Sequence, residues 1–442
     1  MFENKRIFVF GMSKSGYEVA KFLAKHHNKI LITDAKEQDE EHVKELENLG
    51  VQVVITDKQI NLLNETFDYM IKNPGIKYDN ELVVKAHKLG IPVINELEVA
   101  YTFIDKDVKI IGVTGSNGKT TTVTLIDKIL KEDGKNSILC GNIGTPLVSM
   151  LSDIKKDSIL VIEISDHQLC DMYQFKTNIS VLTNISETHI DFHDSYKRYK
   201  EMKKRIFNHH TENDLAVLNF DNKEVVELTN DIKSSKKFFS VVTRQKCYIE
   251  FNKIFYGDEV IIDLGDICVK GMHNYENIMA AIIACKEFNV KTSSIVNVLE
   301  DFKGVEHRIE FVKELNDIKF YNDSKSTNNQ ATITALKSFD EDIVLIMGGL
   351  DRNIPFDDIA PYLKNVKKIN AYGETADKIK KFAEKNNVFC ATFSNLRQAT
   401  ENAYYAAEPG NIVLLSPACA SWDQYDNFES RGKEFKKIID EL

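Results

Sequence analysis

Three α/β domains are predicted for this chain: two outer ones of Rossmann-like type and a central one with a phosphate-binding loop on a mostly parallel sheet. Three observations carry that prediction. The first hundred residues alternate β-like and helix-like stretches. Near residue 107 the rhythm restarts as an apolar strand, a glycine loop and a lysine. Near residue 305 it restarts again, with strands that each end in a loop of small or charged residues. At 442 residues the chain also exceeds what one hydrophobic core organises. The expected borders are 1–106, 107–304 and 305–442.

The first unit opens with the strand Ile7-Phe8-Val9-Phe10, a turn from Gly11 to Gly16, a helix running to about His27, and a strand Lys29–Asp34. This is the βαβ opening of a dinucleotide-type fold, with Asp34 at the strand end where an acid can hold a sugar or base. The central glycine of G-x-G-x-x-G is Ser13, so the loop reads as closing over a phosphate-containing ligand or as a plain structural turn. Asn73-Pro74-Gly75 follows the strand Tyr69-Met70-Ile71 and forms a second loop that can face the same ligand.

In the second unit, the apolar run 108–113 leads into Thr114-Gly115-Ser116-Asn117-Gly118-Lys119-Thr120-Thr121. Gly115 and Gly118 let backbone N–H groups turn inward, and the helix starting near Lys119 adds the positive end of its dipole. Lys119 is placed to reach outer phosphates and the Thr120 hydroxyl to ligate Mg2+. The usual spacing asks for glycine at 113, where this chain has Val113. Two buried-strand patterns follow, Ser158–Glu163 and Ile179–Asn184, and parallel sheets bind ligands at such strand ends. Glu163 there suits a hard cation, though a lone acid can also cap a helix. His189, just past the next strand, is a functional candidate by position. The helix Tyr196–Phe207 is rich in Lys and Arg; one lysine can turn inward, and spacing does not choose which. Asn274 and Asn277 open a further helix, where capping is the first reading.

The third unit has strands at 319–321, 343–347 and 412–415. Their flanking loops are Glu306–Glu310, Asn322–Asn328, Gly348–Arg352 and Ser416–Tyr425, the second unusually dense in hydrogen-bonding groups. Together they suggest a site that faces the phosphate loop.

A formal net charge of -10 argues against a nucleic-acid binder. No apolar run approaches membrane-spanning length, and the start of the chain runs at once into a strand without an apolar leader. Seven cysteines without C-x-x-C spacing fit buried reduced thiols in a cytoplasmic protein rather than a disulfide framework or zinc site.

In this order the motifs resemble the Mur ligases, the ATP-dependent amide-forming enzymes of peptidoglycan precursor synthesis, whose own phosphate-loop variant lacks the first glycine. His307-Arg308, Asn322–Asn328 and Ser416–Ser421 are most similar to the members that add D-glutamate. The resemblance runs from about residue 5 to the C-terminus. It implies a UDP-binding domain, an ATPase domain and a C-terminal domain that brings the amino acid, with UDP-N-acetylmuramoyl-L-alanine and D-glutamate as substrates and a monomeric state. By position, Asn142 in Gly141–Gly144 matches a substrate and catalytic loop. Glu163 and His189 match Mg2+-site residues, and Lys203 matches a lysine carbamylated to complete a second metal site. Asn274 and Asn277 match nucleotide neighbours, and Arg308 and Asp323 match ATP contacts. Lys325, Thr327, Ser421 and Phe428 match D-glutamate contacts. The resemblance also marks Ser165 and Gln168 for the substrate, but within a departure: the family's Ser-Ser-Phe-Gln-Leu is here Ser165-Asp166-His167-Gln168-Leu169. Arg352 stands where some members have lysine and keeps a cation able to pair with a carboxylate. Two rival readings stand beside this one: another ligase of the superfamily, adding a different amino acid or extending folate, and a nucleotide-gated binding protein that has lost catalysis.

Overall fold

The computed structural model describes residues 2–186, 190–352 and 354–442. It has two compact units, Met1–Phe302 and Lys303–Leu442. The first unit holds two sheets. Strands β1 (Arg6–Phe10), β2 (Lys29–Asp34), β3 (Gln52–Ile55), β4 (Tyr69–Lys72) and β5 (Val93–Ile94) form an all-parallel sheet in the order β3-β2-β1-β4-β5. The order reverses between β1 and β4, which opens the crevice where such sheets take ligands. Gly16 lets the following helix sit on that crevice, because a Cβ there would lie 1.9 Å from the Gly11 carbonyl oxygen. That helix, Lys14–Ala24, ends three residues earlier than expected, since His27 turns into left-handed conformation and Asn28 donates to the Leu23 carbonyl.

The second sheet has nine strands: β6 (Lys109–Thr114), β7 (Ser137–Gly141), β8 (Ile159–Glu163), β9 (Ile179–Leu182), β10 (Leu215–Asn219), β11 (Ser235–Ser240), β12 (Cys247–Glu250), β13 (Lys253–Tyr256) and β14 (Glu259–Asp263). Its order is β14-β13-β12-β11-β10-β9-β6-β8-β7, parallel from β7 through β12 and antiparallel beyond. The helix Lys119–Glu132 runs from the end of β6 and packs on the helix Met272–Lys286, both with long buried apolar faces. Strand β9 ends at Leu182, two residues before the sequence pattern does.

These two sheets share one hydrophobic core, which runs from Phe2 and Val9 to Leu160, Leu182 and Leu218. Polar groups lock them as well. The buried Glu96 carboxylate accepts the Val148 N–H at 2.5 Å, and Glu98 accepts those of Gln174 and Phe175 at 2.7 and 3.0 Å. Burial pushes the Glu96 carboxyl up to about 7, against the pull of the Val148 N–H. Lys72 and Asp171 form a buried ion pair at 2.9 Å, and the same ammonium donates to the Ile76 carbonyl in the loop after β4.

The second unit is one sheet of β15 (Glu310–Leu315), β16 (Ile318–Asn322), β17 (Ile343–Gly348), β18 (Val366–Tyr372), β19 (Phe389–Phe393) and β20 (Ile412–Leu415), in the order β15-β16-β20-β17-β18-β19. Only β15 is antiparallel. Apolar clusters cover both faces, as buried parallel strands require. Asp323, just past β16, is buried and accepts hydrogen bonds from Ser326 and Ser416 at 2.5 and 2.7 Å and from the Ile309 N–H at 3.2 Å. All seven cysteines are free thiols, but only Cys140, Cys247, Cys285 and Cys419 are buried; Cys170 and Cys390 are half-buried and Cys268 is exposed. Among the described residues no helix is long and apolar enough to cross a membrane.

These buried charges lead to two expected outcomes. Lys72→Met strands the Asp171 carboxylate and is expected to cost about 3–5 kcal/mol, read as a lower urea midpoint, while adding Asp171→Leu recovers most of that loss. Burial, only partly offset by its hydrogen bonds, raises Asp323 from 3.8 to about 6. The folded state then binds more protons than the unfolded chain between about pH 4 and pH 6, so this contribution to stability is full below the window and is lost as pH rises through it. Urea midpoints across the window fall accordingly, and Asp323→Asn flattens the profile.

Candidate active site

The chain turns out of β6 through two glycines that no other residue can replace. At Gly115 (φ +149°) a Cβ would stand 2.0 Å from the Thr183 hydroxyl, and at Gly118 (φ +83°) it would stand 2.1 Å from the Asn277 amide oxygen. The close approach at Gly115 leaves room for the segment after β9 to pack directly on the loop. Having left the sheet, Thr183 donates to the Asn117 carbonyl at 2.6 Å, and Asn184 accepts the Asn117 N–H on its side chain and the Ser116 N–H on its backbone, each at 2.9 Å. Asn184 thus braces the loop. Ser116 is held by the Tyr199 hydroxyl at 2.7 Å.

Lys119 begins the helix and folds back over the loop, donating to the carbonyls of Gly115 and Ser116 at 2.8 and 2.9 Å. Thr120 is buried and donates to Glu163 Oε2 at 2.7 Å, while Asn142 from the loop after β7 donates to Glu163 Oε1 at 2.8 Å. Glu163 is therefore held from both sides at the end of β8, with a hydroxyl and an amide beside its carboxylate. The carboxylate of Glu163 and the Thr120 hydroxyl are oxygen ligands of the kind a hard divalent cation takes. Thr121 is half-buried on the first turn. His189 lies outside the described residues.

Lys203 is the lysine of its helix that turns inward. It is fully buried, and its Nζ donates to Asp166 Oδ1 and the Gly115 carbonyl, both at 3.0 Å, and to Thr114 Oγ1 at 3.3 Å. The other lysines of the helix face outward, with Lys200 on Glu224 and Lys204 on Asp231. Asp166 Oδ2 is hydrogen-bonded to the buried His193 Nε2 at 2.7 Å and lies 3.6 Å from His167 Nε2. Burial works against an ionised Asp166, but the His193 hydrogen bond and the Lys203 charge outweigh it and hold the carboxyl far below the usual carboxylate range. Sequence reading flagged 166–167 as a departure and missed this cluster, whose members stand up to 37 residues apart. Ser165 and Gln168 cap their short helix reciprocally, each bonding the other's backbone N–H, so their side chains are committed to that turn.

Asn277 is buried under the loop, with the Thr122 hydroxyl 3.4 Å from its amide oxygen. Asn274 is not a cap: the helix starts after Gly271, and Asn274 donates to the Lys270 carbonyl instead. In the first sheet, Asp34 accepts the N–H groups of Met12 and Lys36, which fixes the turn after β1, and Asn73 is hydrogen-bonded to Ser13 across the strand-order switch. Gly75 is exposed on the adjoining loop. Lys14 reaches the Gly144 carbonyl at 2.6 Å, tying the first crevice to the Asn142 loop.

In the second unit, Thr327 and Arg352 line a cavity of about 240 Å3 with Asn328, Asp351 and Cys419. The Arg352 guanidinium lies 4.8 Å over the Trp422 ring, and Lys325 Nζ lies 5.6 Å over the Phe428 ring. Ser421 is buried next to Ala420, which bridges to Leu350. Arg308 sits in the turn closed on Val305, and its positive charge offsets a small part of the burial that raises the neighbouring Asp323. The residue that sequence reading missed here is Arg431. It is fully buried and donates to the Ser324 hydroxyl and carbonyl and to the Cys419 carbonyl, which joins the two polar loops. Its only signal in the sequence is an arginine three residues after Phe428 in an amphipathic helix.

Three family models match the chain in succession: the N-terminal domain of MurD-like Mur ligases over residues 5–95, the Mur ligase middle domain over 113–285, and the Mur ligase glutamate ligase domain over 307–419. The UDP-N-acetylmuramoylalanine–D-glutamate ligases of Geobacillus kaustophilus and Listeria monocytogenes EGD-e are each 41% identical, over 100% of this chain and 98% of theirs. The fold is that of solved Mur ligases. UDP-N-acetylmuramate-alanine ligase MurC from Thermotoga maritima superposes with a TM-score of 0.62 at 18% identity, covering 99% of both chains. MurF from the same organism, in complex with ADP, gives 0.56 at 15%, covering 99% of this chain and 96% of its own. With its three domains, its phosphate loop and full-length relatives at this level of identity, the chain belongs to the Mur ligase family.

Proposed function

We infer that this protein is an ATP-dependent ligase that joins D-glutamate to UDP-N-acetylmuramoyl-L-alanine in peptidoglycan precursor synthesis. The observation that carries the reading is full-length 41% identity to ligases of that name, together with a phosphate loop over which Lys119 folds back and whose Thr120 hydroxyl meets Glu163 at the end of β8. We propose domain borders near 106 and 304, a monomer, and a cytoplasmic location where ATP is supplied.

The chemistry is set by the acceptor. A carboxylate is a poor electrophile, so an oxygen of the alanyl carboxylate first attacks the γ-phosphorus of ATP; the bond to ADP breaks and an acyl phosphate forms. The amine of D-glutamate then attacks the acyl carbon, loses a proton, and expels phosphate to leave the amide. The N–H groups of Gly118–Thr121 at the start of the helix and the Lys119 ammonium neutralise charge on the phosphoryl oxygens. Mg2+, held by Thr120 and Glu163 with His189 as a further ligand, supplies Lewis-acid charge there when bound. Asn142 keeps the Glu163 carboxylate in place. A second ion with a carbamate on Lys203 is the arrangement the family implies; it requires Nζ to give up its proton and its contact with Asp166.

For the remaining contacts, Ser13, Asp34, Asn73 and Gly75 are proposed at the UDP end of the substrate, and Ser165 and Gln168 shape the wall beside it. Asn274, Asn277, Arg308 and Asp323 are proposed nucleotide neighbours. Lys325, Thr327, Arg352, Ser421 and Phe428 are proposed to hold D-glutamate, with Arg352 suited to a carboxylate in a bidentate pair.

Phosphate release from ATP is expected to need both UDP-N-acetylmuramoyl-L-alanine and D-glutamate; equal stimulation by L-glutamate, L-alanine or diaminopimelate would overturn the assignment. Lys119→Ala and Glu163→Gln are each expected to lower kcat roughly 100-fold or more with the fold intact by circular dichroism. Arg352→Ala is expected to raise KM for D-glutamate roughly 10- to 100-fold while KM for ATP stays put, the loss of a hydrogen-bonded charge pair.

A further inference from the structure

We propose that Lys14 is a positioning residue for the ligase reaction: its ammonium relays the arrival of the UDP-linked substrate in the first crevice to Asn142 and Glu163 in the central domain. The proposal rests on the ligase reading above and adds a residue that the resemblance does not mark.

Lys14 stands where helix stability does not explain it. It is the first residue of the helix Lys14–Ala24, at the positive end of the dipole, where a cation is unfavourable. No acid occupies the first turn, and the Ser13 hydroxyl accepts from Asn73 instead of capping the helix. The turn before it is fixed by the Asp34 carboxylate, which accepts the Met12 N–H at 2.8 Å. Lys14 is exposed, and among the described residues its ammonium has one partner, the Gly144 carbonyl, 130 residues on and 2.6 Å away.

What it holds is the tip of a short loop. Residues 141–145 are closed at the base by the Gly141 N–H on the Thr145 carbonyl at 3.2 Å. Asn142 seats the loop on Glu163 twice, through its backbone N–H to the Glu163 carbonyl at 2.9 Å and through its side-chain amide to Oε1 at 2.8 Å. At the exposed tip, Gly144 has a φ of +73° and open space where a Cβ would stand, so packing on that side does not locate it. The base is set by Glu163 and the tip by Lys14.

An ammonium has three N–H groups, and with one on Gly144 two are left for an anion. The diphosphate of a UDP-linked substrate is such an anion, and a helix N-terminus at a strand-order switch is where it is favoured. Diphosphate oxygens on Lys14 fix the ammonium, the ammonium fixes Gly144, and the loop passes the constraint to Asn142 and to the acid that accepts from Thr120. The opposite lip of the crevice has a tie of another kind, since Lys72 is buried with Asp171 while it holds the Ile76 carbonyl. That tie is sealed from solvent, whereas Lys14 is exposed to an entering anion.

The test reads coupling as well as rate. With neither nucleotide nor metal present, hydrogen exchange of the 141–145 amides is expected to slow when the wild type is saturated with UDP-N-acetylmuramoyl-L-alanine, and to stay unchanged in saturated Lys14→Met. By calorimetry the same substrate is expected to raise the affinity for Mg·ADP roughly 5-fold or more in the wild type, a factor that falls to about 1 in Lys14→Met and is largely restored in Lys14→Arg. Affinity for Mg·ADP alone stays at the wild-type value in both variants, and kcat of Lys14→Met falls roughly 10-fold. Asn142→Ala removes the coupling by itself, and adding Lys14→Met changes the factor no further. Full coupling in Lys14→Met, or independent losses from the two substitutions, overturns the proposal. A protein that binds Mg·ADP but no UDP-linked substrate overturns this reading and the ligase reading together. One that is coupled through Lys14 yet forms no amide with D-glutamate counts against the ligase reading alone and supports this one.

Discussion

One carbonyl oxygen organises the central domain. Gly115 turns out of β6 at a backbone angle that aims its oxygen into the protein, and a buried carbonyl needs a partner. It has two, the ammonium groups of Lys119 and Lys203, one from the next turn of chain and one from a helix far along the sequence. Once both cations are there, the rest is forced. Lys203, sealed from water, is paired with Asp166, and Asp166 in turn with His193. Glu163 lies three residues away and is fixed by Thr120 and Asn142. The site is a set of obligations around one turn, more than a collection of independent ligands.

The third domain solves a similar problem with a single side chain. Two polar loops, 322–328 and 416–421, would splay apart without a shared donor. The buried guanidinium of Arg431 offers its planar fork to Ser324 on one loop and Cys419 on the other. Asp323 then accepts hydroxyls from both loops. Two chemistries of opposite sign close the same gap.

The parts of this architecture that were legible in the sequence are those in which local pattern and tertiary role coincide. β1, β2, β6, β8, β17 and β20 are apolar runs bounded by turn residues, and their limits fall within a residue or so of the pattern. Lys119, Thr120 and Glu163 were legible because the phosphate loop fixes their spacing and the strand end fixes the acid. The illegible remainder is set by distance in sequence. Which lysine of the helix Tyr196–Lys204 turns inward depends on Asp166, 37 residues earlier, and no periodicity reports that. Asp34 and the strand end at Asn184 were read as places where a ligand can meet the sheet, and their side chains also bond the backbone of the neighbouring turns. Strand termini mark where polar groups are needed without saying whether a ligand or the loop itself needs them.

The carboxylates of Glu96 and Glu98 have a further consequence. They sit on the first domain's last helix, yet they accept backbone N–H groups of Val148, Gln174 and Phe175 in the second. Among the described residues these three N–H groups have the two carboxylates as their acceptors. Domain borders drawn from the rhythm of the sequence are therefore not places where the chain can be exchanged freely. A hybrid that inherits its first domain from a relative must inherit both glutamates with it, and recombination between such genes is constrained by two buried acids.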